Sequence, residues 1–80
     1  MKIPRNLSAQ DLVKALAIFG YQIDRQKGSH IRLTTSLNGQ HHLTVPNHDP
    51  LKIGTLSAIL SDVASHSGKT KEEVIEELFG

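Results

Sequence analysis

Lys27-Gly28-Ser29-His30 is the stretch that decides the fold. A glycine bends the chain, and a strand follows at once whose first outward side chain is an imidazole. Upstream, Tyr21 and Ile23 alternate with Gln22 and Asp24, the period of a half-buried strand. Downstream, a second strand is predicted from about Ser29 to Thr35, with Ile31 and Leu33 inward and His30, Arg32 and Thr34 on the opposite face. A third, from about Gln40 to Val45, turns Leu43 and Val45 inward and His42 and Thr44 outward. Keeping the apolar faces together fixes the turns. Gln26-Lys27-Gly28 and Leu37-Asn38-Gly39 each fit a three-residue hairpin loop with glycine at the left-handed third position. A two-residue loop at Asn38-Gly39 would set Leu33 against Thr44 and break the facing. Pro46 has no amide to donate and ends the third strand.

Helical signals flank this region. Ser8 is an N-cap with Asp11 at the third helical position, and Leu12, Leu16 and Phe19 share one face before Gly20 stops the helix. After a loop over 47–53 carrying His48, a second helix is expected to begin near Gly54-Thr55, with Leu56, Ile59, Leu60 and Val63 on one side and closure at His66-Ser67-Gly68. Thr70-Lys71-Glu72-Glu73 is a capping box that opens a short helix ending at Phe79. The predicted fold is α+β, in the order α-β-β-β-α-α. It is one antiparallel sheet with helices on its inner face and its outer face in water.

Eighty residues make one domain, near the lower limit for a self-sufficient core. With no Trp and few aromatics, that core must come from Leu, Ile and Val. No cysteine is present, so disulfides and thiolate catalysis are excluded and a reducing cytoplasm is the expected setting. Met1-Lys2-Ile3-Pro4 leads into no apolar run, so neither export nor membrane spanning is expected. The net charge of +1 conceals an asymmetry: seven basic and three acidic residues precede Ser57, while two basic and five acidic residues follow from there. The front of the chain could meet a polyanion; the tail is unsuited to it.

Residue chemistry leaves the site open. His30 on its own reads as a surface histidine beside a turn, or as a base. Gly28 permits the turn, and Ser29 satisfies turn backbone groups rather than acting as a nucleophile, because adjacent strand residues face opposite sides. Lys27 and Arg32 are the best phosphate partners, with Arg25 a further candidate and His42 on the same face as His30. His41, His42 and His48 do not read as a metal site, since the first two diverge along a strand and no cysteine assists. A loop-fixing hydrogen bond is expected of His48, and a place facing the negative helix end of His66. Thr55 is expected to cap the second helix, whose first amides at Gly54-Thr55 could also meet a phosphate.

Taken together, Gly20-Tyr21, Arg25-Gln26-Lys27-Gly28-Ser29-His30, Thr44-Val45-Pro46-Asn47-His48 and Lys52-Ile53-Gly54-Thr55-Leu56 with Ile59-Leu60 resemble the HicA toxin family, also called YcfA-like. The resemblance covers roughly residues 7–64 of the single domain at 1–80, leaving an extra helix over about 70–79. It implies a double-stranded-RNA-binding-domain-like fold. It also implies an mRNA interferase of a type II toxin–antitoxin system, needing no metal or other cofactor and restrained by a HicB-like antitoxin that covers the active site. The family's catalytic histidine, the one after Gly-Ser, corresponds to His30. The chain departs from the family in carrying Ser57, Ser61 and Asp62 where Lys or Arg is often found, and in the Glu-rich last helix. Two other functions compete: a non-catalytic RNA-binding module on the same platform, and an interaction protein that docks a partner without RNA.

Overall fold

Two hairpins in succession build the sheet. A computed structural model describes residues 3–80, so the part of the N-terminal reading that rests on Met1-Lys2 lies outside the described residues. Strands β1 (Gln22–Lys27), β2 (His30–Thr35) and β3 (His41–Pro46) pair antiparallel in the order β1-β2-β3. Helix α1 (Ala9–Leu16) precedes them, continued by a short 3-10 turn (Ala17–Phe19). Helices α2 (Ile53–Ser67) and α3 (Lys71–Phe79) follow. The predicted α+β class and element order are therefore observed.

The caps are where local chemistry places them. Ser8 and Asp11 bond reciprocally at the start of α1, as do Thr70 and Glu73 at the start of α3. Glu73's carboxyl is held below the usual carboxylate range by the Thr70 amide and then by its hydroxyl. At α2 the expectation fails: the helix begins at Ile53 with Lys52 as N-cap, and no side chain caps it. Thr55 falls in the first turn, too far along to cap.

The second hairpin has the predicted register, Leu33 opposite Leu43 and Ile31 opposite Val45. Left-handed Asn38 and Gly39 close its loop, at φ 57° and 95°. The first hairpin is different. Lys27 and His30 are a cross-strand pair, so the loop is Gly28-Ser29 alone, with Gly28 at φ 58° in the first position, as a type II′ turn requires. The residue that the three-residue loop would have absorbed is absorbed instead by a bulge at Asp24, between the pairs Ile23–Leu33 and Arg25–Arg32. Both arrangements keep Tyr21 and Ile23 on the inner face, but the expected loop would have set Ile23 opposite Ile31, two positions from its observed partner Leu33. The bulge lets Tyr21 and Ile23 keep the inner phase while Arg25 and Lys27 take the outer one.

The core lies between the inner sheet face and the helices. Leu12, Leu16, Ile31, Leu33, Leu56 and Leu60 are essentially sealed from solvent, each contributing roughly 1.5–3 kcal/mol. Val74 and Ile75 of α3 belong to the same cluster, so the last helix is packed into the domain. Two predicted core positions are less covered. Phe19 is half-buried because the helix tightens to 3-10 there, and Ile23 is 51% exposed because it sits on an edge strand. Thr35, a buried polar residue, donates its hydroxyl hydrogen to the Phe19 carbonyl and accepts from the Leu37 amide.

Candidate nucleic-acid interface

The outer sheet face is a grid of three rows. Lys27, His30 and Pro46 stand side by side, then Arg25, Arg32 and Thr44, then Gln22, Thr34 and His42. Along β2 the burial alternates: Ile31, Leu33 and Thr35 are buried, while His30 and Arg32 are exposed. Among the described residues no helix covers this side of β2 and β3, whose outward His30, Arg32, His42 and Thr44 are exposed. The imidazole of His30 therefore stands in solvent at the end of the sheet where the β1–β2 turn lies.

That end is held by backbone groups. The Asn47 amide donates to the Ser29 carbonyl at 2.6 Å, which ties the Gly28-Ser29 turn to the chain leaving β3. The amide of His48 donates to the Pro46 carbonyl at 2.8 Å, and the His48 carbonyl accepts from Ala9 at 3.0 Å. His48 does fix its loop, but through its backbone; its side chain is exposed. Ser29 likewise contributes its carbonyl. The sequence pattern could not separate main-chain from side-chain roles at these two positions.

Lys27 is placed better than the sequence suggested. It belongs to β1, directly across from His30, rather than to the turn. Arg25 and Arg32 form the next row, at Cα separations of about 5 Å across the ladder. Among the described residues neither guanidinium has a carboxylate within ion-pair distance; the carboxylates within 4 Å of a basic side chain are Asp62, beside His41, and Glu77, beside Lys69. His42 shares the face but lies two rows from His30, about 13 Å along the strand. Its Nδ1 is hydrogen-bonded to the Thr34 hydroxyl at 2.9 Å, which fixes the ring. Gly54 and Thr55 are in the first turn of α2.

His41 and His66 form a second cluster that the sequence did not announce. His41 Nε2 lies 3.3 Å from Asp62 Oδ1, and its Nδ1 lies 2.8 Å from the Tyr21 hydroxyl. The carboxylate accepts, so Nε2 carries the hydrogen and Nδ1 accepts from Tyr21. Burial, and then the Asp62 charge, push the Tyr21 phenol up to about 12. The His66 ring stacks on that of His41 at 4.4 Å, and its Nε2 donates to the Leu37 and Gly39 carbonyls. His66 lies in the last turn of α2, as expected of it, and also pins the β2–β3 loop by a tertiary contact. Asp62 serves His41, and Ser57 accepts a hydrogen bond from Lys71 of α3. Two of the α2 positions noted as departures, Ser57 and Asp62, are thus given to internal contacts. Among the described residues no group of three His, Cys, Asp or Glu side chains is arranged to hold a metal ion. No helix among them is long and apolar enough to cross a membrane.

Comparison with known proteins supplies one match. The family described as the HicA toxin of bacterial toxin–antitoxin matches residues 9–64, from the start of α1 into α2. No curated protein and no solved structure matches the chain.

Proposed function

The chain belongs to the HicA toxin family of bacterial toxin–antitoxin systems, and from that premise we propose that it is an endoribonuclease that cleaves mRNA with His30 as general base. The observation that carries this reading is the setting of His30. It is an exposed imidazole beside a glycine turn, opposite Lys27 and one row from Arg25 and Arg32.

RNA brings its own nucleophile. His30 takes the proton of a 2′-hydroxyl, the freed oxygen attacks the adjacent phosphorus, and the bond to the 5′-oxygen breaks. That oxygen takes a proton from the solvent that reaches this open face. The products are a 2′,3′-cyclic phosphate and a 5′-hydroxyl. Imidazole suits the first step because its ordinary pKa lies near working pH. Lys27 stabilises the charge that grows on the phosphate oxygens, and Arg32, Arg25 and His42 meet the strand further along. The reaction so written needs neither a metal nor a covalent enzyme intermediate. A HicB-like antitoxin is the expected protein partner, restraining the toxin by covering this face.

The test is induced expression of the wild type beside His30→Ala, with the ends of cleaved RNA mapped. The wild type should arrest growth and leave cyclic-phosphate and 5′-hydroxyl ends. The variant should lose about 10²–10⁴-fold in cleavage, with its melting behaviour unchanged. Ends carrying 3′-hydroxyl and 5′-phosphate, or undiminished cleavage by the variant, would refute the mechanism.

A further inference from the structure

We infer that the outer face is a track for one unpaired RNA strand laid along the β-strands, and that Arg25 and Arg32 close together on a single phosphate, the one next to the scissile phosphate. The inference rests on the reading of His30 as the base and adds the substrate's form and register to it.

The rows of the grid set the spacing. Residues two apart on a strand lie about 6.6 Å from each other, comparable to the step between successive phosphates of an extended polynucleotide. With the scissile phosphate at the Lys27–His30 row, the neighbouring phosphate falls at Arg25–Arg32. The row of Thr34 and His42 meets the one beyond. Like charges set directly opposite each other weaken a sheet, and no carboxylate among the described residues relieves this pair. A phosphate held between the two guanidiniums removes that repulsion, and each planar fork donates to it.

A duplex fits the same face poorly. Modules that read double-stranded RNA span two successive minor grooves over about 16 base pairs. Here the cations gather within two adjacent rows of one sheet. Along α2, Ser57, Ser61 and Asp62 supply no second cationic site.

The experiment measures binding alone, with a short 2′-O-methyl oligouridine that cannot be cleaved because its attacking hydroxyl is blocked. Its affinity is followed against salt for the wild type and for Arg25→Gln, Arg32→Gln and the double variant. Losing one single-strand phosphate lowers the salt slope by about 0.7. The double variant should show that single loss. Each guanidinium contacting its own phosphate would give about 1.4 for the double variant, and no contact would give no change; either result overturns the clamp. The 2′-O-methyl oligoadenine–oligouridine duplex should bind more weakly than the single strand, and equal or tighter duplex binding overturns the track. Cleavage plays no part in this readout. A protein that gives the expected slopes yet cuts no RNA keeps the track and loses the catalytic reading; one that cuts through His30 with the wrong slopes loses the track alone.

Discussion

Arg25 faces Arg32 directly across the β1–β2 ladder, and the bulge at Asp24 sets that pairing beside the inward phase of Ile23. Cross-strand partners in a stable sheet ordinarily attract, and these repel. Substituting either arginine by glutamine should therefore raise stability while RNA cleavage falls. The expected gain is about 0.2–1 kcal/mol, read from urea midpoints at low salt. A loss of stability in both variants would show that the pair is held by contacts other than those described.

Gly20 and Gly28 both have positive φ, 81° and 58°, but their surroundings differ. A Cβ on Gly28 would meet nothing within 4 Å, whereas on Gly20 it would come within 2.7 Å of Leu37 Cδ1 and 2.8 Å of Thr35 Oγ1. Gly28→Ala should cost about 1–2 kcal/mol from the backbone alone. Gly20→Ala should cost more, because Thr35 is buried and committed to Phe19 and Leu37. Activity should discriminate in the other direction: Gly28→Ala disturbs the turn that aims His30, and Gly20→Ala leaves that turn alone. Thermal melts and cleavage rates on the two variants check both orderings.

Tyr21 is buried against His41, and burial, then the Asp62 charge, push its phenol from the ordinary 10.0 up to about 12. A raised pKa in the folded state means stability that is complete below the ordinary value and lost as pH climbs through the folded one. That contribution falls away between about pH 10 and pH 12. Tyr21→Phe should flatten that part of the stability curve relative to the wild type. At neutral pH it should cost about 1 kcal/mol for the bond to His41. Denaturant melts of both proteins from pH 8 to pH 12 provide the comparison.

Thr70 opens α3 with a reciprocal cap to Glu73, and the helix it starts contributes Val74 and Ile75 to the core. Thr70→Ala should destabilise the whole domain by about 1 kcal/mol in a single transition. A separate early transition confined to α3 would mean that the last helix is not packed as described. The loss should shrink with acid, because Glu73's lowered carboxylate must protonate and release the cap in the wild type too.

Much of this protein is written in its sequence because the signals are local. Alternation at Ile31-Leu33 and Leu43-Val45 fixed the register of β2 against β3. The caps at Ser8 and Thr70, and the stops at Gly20 and Gly68, follow from side chains and left-handed backbone within one turn of where they act. The outward phase of His30, Arg32 and His42 was equally legible, since strand periodicity has only two faces to offer.

Only the tertiary structure decided the rest. A three-residue loop, or a two-residue loop with a bulge, satisfies the same facing of Ile23 and Leu33, so the sequence could not say which one aims Lys27 at His30. The bulge prevailed, and it turned a turn lysine into a strand partner. The Tyr21–His41–Asp62 contact and the His66 pin on the β2–β3 loop join residues about 20 or more positions apart. No spacing rule spans such distances; those bonds exist because α2 packs across the sheet and brings its polar positions to β3 and its loop.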